Sequence, residues 1–243
     1  IMEFNRQISN VEPSKSVTLL TKTKELQKID PEILNLTGGE PDFPTPKAIC
    51  DLVVAELAAG HTHYSDSRGD AQLRARIARK LQEEIMLFSA GEILINTGGK
   101  NAVYLTIRAL INPGDEAIWL TPLGIYPSIV EASGGIPVAV HLKYEENYRI
   151  QQSAGGCRID KTKLLIINIR TTPPEDSDRS RYSGIDRLFA QASGHLCLSD
   201  EIYEKSYMIR SRLSSLASIP EFSIGCHRQW FSKCKCHDRM RLG

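Results

Sequence analysis

Short apolar runs alternate with amphipathic stretches along most of the chain, and this alternation restricts the fold more than any other feature. The apolar runs are EILIN, AIWL, IPVAVHL, KLLIINI and HLCLS, each bounded by residues that favour turns. Between them lie helix-like stretches such as KNAVYLTIRALI, YPSIVEAS and GIDRLFAQASG. Strands that alternate with helices predict an α/β fold: three layers, with a mostly parallel sheet between helices on both faces.

Two amphipathic helices are predicted upstream of the first apolar run. PKAICDLVVAELAAG places four apolar side chains on one helical face and ends at a glycine. DAQLRARIARKLQEEI repeats the pattern with apolar residues at steps of four. The predicted core-facing positions are Ile49, Leu52, Val53 and Leu57 in the first helix, and Leu73, Ile77 and Leu81 in the second.

The predicted domain organisation is a large α/β domain preceded by an arm. The α/β pattern occupies residues 35–243, and a chain of 243 residues is long enough to bury a substantial core. Residues 1–34 contain one helical stretch, SKSVTLLTKTKELQKI, and lie outside the pattern. We expect them to form an N-terminal arm or part of a second, smaller domain.

Composition and charge exclude several classes of protein. Hydrophobic residues make up 41% of the chain, charged residues 24%, and the formal net charge is +1, so a disordered or polyanion-coating protein is not indicated. The longest apolar run, LLII, is far too short to span a membrane, and the first residues show no signal-like apolar segment. We therefore expect a cytoplasmic protein without a nucleic-acid or membrane partner, with its six cysteines reduced.

The last stretch, WFSKCKCHDRMRLG, carries thiols and imidazoles and suggests a metal site as one interpretation. Cys226, His227, Cys234, Cys236 and His237 are residue types that bind zinc. The Cys-x-Cys-His order lacks the spacing of a zinc knuckle, and no second cysteine pair occurs elsewhere. Zinc therefore stays a minor alternative, and we predict no metal. A basic nucleic-acid patch at the same place has no motif to support it.

Two polar motifs follow apolar runs, where open α/β sheets bind their ligands. TGGKNAVY follows EILIN, and a helix opened by glycines and a lysine favours a bound phosphate. DEIY follows HLCLS and places a carboxylate at a strand end. Taken singly, each motif is more often only a tight turn or a helix cap.

In their order and spacing, these motifs resemble those of the class I/II aminotransferases, fold type I enzymes that depend on pyridoxal 5′-phosphate. The resemblance extends over some 200 residues and implies the three-layer large domain of that family, with most of its small domain missing from this chain. It also implies a homodimer. The segments that carry it are NLTGGEPDFPTP, GHTHYSDSRGDAQLR, TGGKNAVYLTIRALINPGDEAIWLTP, ASGGIPVAV, SDEIYEK and FSK, the last with Arg241 eight residues after its lysine.

The resemblance implies a role for each of ten residues. Lys233 would hold the cofactor as an imine, and positive charge around it would favour the neutral amine. Asp200 would keep the ring nitrogen protonated, and Tyr203 and Thr172 would lie at the ring oxygen. Phosphate contacts would come from Gly99, Lys100, Ser232 and Arg241 and, across the dimer, from Tyr64, while Gly39 would meet the substrate carboxylate.

The chain departs from the family pattern in three places. Thr172 stands where an asparagine is usual, and a hydroxyl donates only one hydrogen bond. Leu123 and Gly124 replace the aromatic residue that stacks on the cofactor ring, a role for which Tyr126 is the nearest candidate. Trp230 replaces a small residue before the lysine, and overpacking of this kind costs about 1 to 3 kcal/mol where nothing relaxes.

The activity implied by the resemblance is transfer of an amino group from an L-amino acid to a 2-oxo acid. Two alternatives stay open at this point. One is a non-catalytic or truncated homologue that acts as a binding or structural subunit, and the other is a lyase or synthase on the same fold. The sequence does not identify the amino donor.

Overall fold

A computed structural model describes residues 5–9, 11–12, 14–37, 43–85, 88–120, 124–141, 161–168, 196–202 and 226–228. Helices precede the strands, and among the described residues one helix also separates the first two strands, as the alternation predicted. The helices are α1 (Arg6–Ser9), α2 (Lys15–Ile29), α3 (Lys47–Ala58), α4 (Ala71–Ile85), α5 (Gly99–Leu110) and α6 (Ile125–Ala132), with a short 3₁₀ helix at Ala90–Glu92.

Five strands form one sheet in the order β2-β1-β3-β4-β5. The pairs β1–β2, β1–β3 and β4–β5 are parallel, which confirms the predicted parallel character. The order reverses between β1 and β3, so this is the topological switch point of the described sheet. The strands are β1 (Glu116–Leu120), β2 (Ile136–Val140), β3 (Thr162–Asn168), β4 (Leu196–Asp200) and β5 (Cys226–Arg228).

The central strands are buried, as expected for the middle of a parallel sheet. Four consecutive residues of β3, residues 164–167, are buried. In β4 the last four residues are buried, and these include the polar Ser199 and Asp200. Buried polar residues at the end of an otherwise apolar strand are the first structural indication of a ligand-binding site.

Helix α4 buries part of the face that its sequence predicted, and helix α5 also buries one apolar face. In α4, Ile77 and Leu81 are 8% and 5% exposed, and in α5, Val103 and Ile107 are 2% and 0% exposed. Each pair is four residues apart, the spacing of one helical face. Leu73, at the start of the α4 face, is 36% exposed and lies at the edge of the core.

One predicted strand does not form, the apolar face of one predicted helix is not buried, and one strand was not predicted. Helix α3 forms as predicted, but none of its residues is buried, and Leu52 and Leu57 are 63% and 57% exposed. The run EILIN is not a strand, since residues 93–96 join no ladder and Ile95 N–H instead donates to Arg68 O at 2.9 Å. Strand β5 was not predicted, because three residues are too few to show a period of two.

The described residues belong to two compact units. The first unit combines residues 1–40, 106–168 and 178–197, and the second combines 41–105, 169–177 and 198–243. The predicted boundary at residues 34/35 stays a prediction. Among the described residues, no helix has the length and apolarity needed to cross a membrane.

In the second unit, a buried arginine joins the turn before α4 to the 3₁₀ helix. Arg74 is 7% exposed, and its Nε donates to Gly69 O at 3.1 Å while Nη1 donates to Ala90 O at 3.0 Å. Gly69 has φ +95°, and a Cβ there would lie 2.5 Å from Ile95 Cβ. The turn therefore requires glycine for both its conformation and its space.

In the first unit, an ion pair links the segment before β1 to the start of β3. Lys163 Nζ lies 3.0 Å from Asp115 Oδ2, which also accepts a hydrogen bond from Asn112 N–H at 2.8 Å. The backbone N–H of Asn112 and, after it, the Lys163 side chain hold the pKa of Asp115 below its ordinary value of 3.8. This network lies at the end of β1 and β3 opposite their carboxyl ends.

Candidate active site

Buried polar side chains cluster at the carboxyl end of β4. Ser199, Asp200 and Glu201 are 0%, 3% and 2% exposed. Ser199 Oγ donates to Glu201 Oε1 at 2.9 Å, and Ile202 N–H makes a longer contact with Asp200 Oδ1 at 3.4 Å. Because burial of a carboxylate is costly unless it is paired or hydrogen-bonded, two adjacent buried carboxylates mark this strand end as a candidate active site.

Helix α5 begins, also in the second unit, with the geometry of an anion site. Gly98 has φ +91°, and Gly99, which is buried, is the first helical residue. Lys100 follows with an exposed side chain, and Asn101 Nδ2 donates to Thr97 Oγ1 at 3.2 Å. The positive end of the helix dipole and the lysine both favour a phosphate here.

A third candidate feature is a pair of polar side chains at the switch point between β1 and β3, within the first unit. Asn168, the last residue of β3, donates from Nδ2 to the hydroxyl of Tyr126 at 3.0 Å. Tyr126 is 1% exposed, and Asn168 Oδ1 is the buried side-chain atom of the described residues that lacks a hydrogen-bond partner. A buried acceptor of this kind requires an explanation, and the carboxyl end of a switch-point strand is where ligands bind in open sheets.

Sequence reasoning missed Asn168, Ser199 and Glu201. Asn168 closes the apolar run KLLIIN, and Glu201 follows the predicted Asp200 directly. A signal for them existed, since a polar residue that ends a buried strand is unusual unless it has a partner. Tyr126, in contrast, was already a candidate for the cofactor ring.

Four of the ten predicted site residues lie within the described part of the chain. Asp200 is buried at a strand end and Gly99 and Lys100 open α5, as predicted, whereas the Tyr64 side chain is fully exposed at 107%. The remaining predicted residues lie outside the described residues: Gly39, Thr172, Tyr203, Ser232, Lys233 and Arg241.

The alternative zinc site also falls largely outside the described residues. Cys226 and His227 belong to β5, but Cys234, Cys236 and His237 are not described. Within the described ranges, no group of three or more His, Cys, Asp or Glu side chains is placed to hold a metal ion. The structure therefore adds no support to the zinc interpretation.

The mostly parallel sheet with its helices, the buried carboxylate at a strand end and the helix that begins at a glycine agree with the fold expected of a pyridoxal-phosphate transferase. Comparison with known proteins agrees with this class. The profile of the family described as "Aminotransferase class I and II" matches residues 31–219, and the chain belongs to that family. This confirms the resemblance and pyridoxal 5′-phosphate as the cofactor of the class.

Curated relatives include bacterial aspartate aminotransferases. The chain is 32% identical over 219 residues to that of Bacillus sp. strain YM-2, covering 88% of this chain and 56% of the relative. It is 31% identical over 244 residues to that of Thermotoga maritima, covering 98% and 64% respectively. The chain thus spans less than two thirds of the length of these relatives.

Solved structures show the same fold. The aspartate aminotransferase of Thermus thermophilus with maleate superimposes with a TM-score of 0.86 at 27% identity, covering all of this chain and 64% of that one. The Thermotoga maritima enzyme gives 0.84 at 29% identity and 65% coverage of its chain. The predicted fold is therefore confirmed, and the chain spans about 64% of the length of these structures.

Proposed function

We propose that this chain is the cofactor-binding portion of an aminotransferase that moves an amino group from an L-amino acid to a 2-oxo acid. The observation that supports this most strongly is the Asp200 carboxylate, 3% exposed at the carboxyl end of β4 in a chain of this family. The matched relatives are named as enzymes, which favours catalysis over the non-catalytic alternative. The lyase alternative has no relative among those named here.

The described residues fit pyridoxal 5′-phosphate at two points. Asp200 offers a buried carboxylate to a protonated ring nitrogen, and a buried charge of this kind is stabilised by an opposite charge. Gly99 and Lys100 at the start of α5 offer backbone N–H groups and a positive field to the phosphate. When bound, the cofactor supplies an electron sink for the charge that develops at the substrate α-carbon.

Lys233 would hold the cofactor through its Nζ and serve as general acid and base. A lysine whose ammonium is partly desolvated and flanked by positive charge loses its proton near neutral pH. Lys235, Arg239 and Arg241 provide that charge in the sequence. The freed Nζ would take the proton from the substrate α-carbon and deliver it to the cofactor carbon C4′ in the same half of the reaction, and it would carry a proton in the opposite direction in the second half.

Four further residues would orient the cofactor. Tyr203 and Thr172 would donate hydrogen bonds to the ring oxygen, the threonine with a single hydroxyl in place of the usual amide. Ser232 and Arg241 would complete the phosphate site, and a planar guanidinium matches phosphate oxygens better than an ammonium does. All four lie outside the described residues and come from the family resemblance.

The substrate class proposed is an L-amino acid with a 2-oxo acid, and aspartate is the first donor to test. The named relatives are aspartate aminotransferases, and one of the solved structures carries maleate, a dicarboxylate. Gly39 would meet the substrate carboxylate through its backbone. We also propose a homodimer, because the fully exposed Tyr64 is free to reach a phosphate in the neighbouring subunit. The proposed location is the cytoplasm.

Spectroscopy tests this function directly. The purified chain mixed with pyridoxal 5′-phosphate should gain a visible absorbance band, and borohydride should then fix the cofactor to Lys233, as peptide mass analysis would show. Aspartate should bleach the band and 2-oxoglutarate should restore it. A matched Lys163→Ala variant should keep the band, whereas Lys233→Ala should lose it. A colourless wild-type mixture without a trapped adduct would contradict the proposal.

A further inference from the structure

Ser199 and Glu201 are both buried, and in the sequence they flank Asp200, whose carboxylate is proposed to meet the cofactor. Side chains alternate between the two faces of a strand, so Asp200 points away from both of its neighbours. Ser199 Oγ donates to Glu201 Oε1 at 2.9 Å, and both side chains are at most 2% exposed. A hydrogen bond between residues 199 and 201 therefore spans the residue whose side chain would meet the cofactor.

This bond lies at the end of the described ladder between β4 and β5. The described ladder between β4 and β5 runs from Leu198↔Cys226 to Asp200↔Arg228 and ends there. Glu201 lies one residue beyond it, and the contact from Ile202 N–H to Asp200 Oδ1 is long at 3.4 Å. Strand ends without ladder bonds fray more readily than strand interiors. The hydrogen bond between Ser199 and Glu201 therefore adds to the contacts that fix the direction of Asp200.

The Glu201 carboxylate is buried, and unlike the carboxylate of a surface glutamate it carries a cost in desolvation free energy. A buried charge destabilises a fold unless hydrogen bonds and nearby charges compensate for it. An apolar residue of similar volume would fill the space without that cost. The carboxylate is therefore better explained by its hydrogen-bonding geometry than by its contribution to packing.

We propose that Glu201 and Ser199 are positioning residues that hold the end of β4 so that the Asp200 carboxylate meets the ring nitrogen of the cofactor. Neither residue touches the cofactor, and both act through Asp200. The inference rests on the proposed function, since it concerns the same cofactor site. A hydrogen bond of ordinary strength is enough for its loss to weaken cofactor binding about tenfold.

Three variants separate the hydrogen bond from the charge. Ser199→Ala removes the donor and Glu201→Ala removes the acceptor, and both should bind pyridoxal 5′-phosphate about tenfold more weakly in an absorbance titration. Glu201→Gln keeps an oxygen acceptor at the same place without the charge, and it should bind like the wild type. Ser133→Ala is the matched control, because Ser133 is 0% exposed and donates from Oγ to Ile129 O at 2.8 Å in the first unit.

A cofactor analogue distinguishes positioning from general damage to the fold. In 1-deazapyridoxal 5′-phosphate a carbon replaces the ring nitrogen, so this analogue gains nothing from Asp200. Ser199→Ala should lose affinity for the natural cofactor and keep its affinity for the analogue, while thermal denaturation shows that it folds. Equal losses for both ligands would assign the pair a purely structural role and overturn the proposal.

The remaining outcomes are equally decisive. Wild-type affinity in Ser199→Ala, or a tenfold loss in Glu201→Gln, would show that the hydrogen bond is not what positions Asp200. If the wild-type chain binds neither ligand, the proposed function fails and the positioning role fails with it. If the wild-type chain binds both ligands but the variants do not show the expected changes in affinity, the positioning role alone fails.

Discussion

Single side chains at the ends of β3 and β4 carry most of the chemical information in this chain. Asp200 and Glu201 end one buried strand, and Asn168 ends its neighbour in the sheet order. Each polar side chain lies at the end of a mostly apolar strand, so each needs a partner to offset desolvation. The predictions at this scale concern two of the partnerships that the structure shows.

The first residue-scale prediction concerns the bond between Tyr126 and Asn168. Tyr126→Phe removes the hydroxyl that accepts from Asn168 Nδ2 at 3.0 Å and leaves the amide without that partner. The free energy of unfolding should fall by about 1 to 3 kcal/mol, the cost of an unsatisfied buried group, measured by urea denaturation. Tyr104→Phe, at a side chain 38% exposed, should change it little. Equal values for the two variants would contradict the role of the bond.

The second residue-scale prediction concerns the pH dependence of stability that results from the ion pair of Asp115. Hydrogen bonding to Asn112 N–H and Lys163 depresses the pKa of Asp115 in the folded state below 3.8. A depressed pKa contributes stability above the unfolded-state value, and this contribution is lost as the pH falls through the folded value. Between pH 5 and about pH 2, Asp115→Asn should therefore lose less stability than the wild type. Denaturation midpoints across that range test this, and parallel curves would refute it.

At the scale of elements, the turn before α4 offers a direct test of glycine geometry. Gly69→Ala forces a Cβ to 2.5 Å from Ile95 at a φ of +95°, whereas Gly60→Ala meets nothing within 4 Å at φ +83°. Both should lose about 1 to 2 kcal/mol from backbone strain, and only Gly69→Ala should lose a further 1 to 3 kcal/mol from the overlap. Thermal unfolding of the two variants measures that difference. Equal losses of stability would show that Ile95 moves aside without a loss of free energy.

The two predicted amphipathic helices differ in what covers them, and a pair of truncations shows the difference. Leu81 in α4 is 5% exposed and Leu52 in α3 is 63% exposed. Leu81→Ala should lower the free energy of unfolding by about 2 to 5 kcal/mol, because it removes buried volume. Leu52→Ala should lower it by less than about 1 kcal/mol. A large loss for Leu52→Ala would show that a partner surface covers α3 in solution.

At the scale of the whole molecule, the proposed homodimer predicts a site shared between subunits. Sedimentation equilibrium should give twice the mass of 27.1 kDa. Tyr64→Phe should weaken cofactor binding about tenfold, since its hydroxyl would otherwise donate to the phosphate across the interface. Tyr104→Phe again serves as the control. A chain that sediments as a monomer and still binds the cofactor through Tyr64 would contradict the shared site.

Several features of this protein follow from the sequence alone because they depend on local periodicity and order. The alternation of apolar runs and helical stretches predicted the parallel sheet, and β1 to β4 fall on predicted runs. Asp200 and the opening of α5 were found because strand ends and glycine-opened helices have local signatures. The order of motifs identified the family.

Other features depended on contacts between distant residues, which a local pattern does not contain. EILIN has the composition of a strand, but Ile95 pairs with the Arg68 turn instead of with a sheet. Helix α3 has a clear apolar face, yet burial requires an opposing surface, and none of its residues is buried. Only the tertiary structure brought Asn168 to Tyr126, 42 residues apart, and made Glu201 a buried partner of Ser199, because hydrogen bonds and burial are decided by position in space.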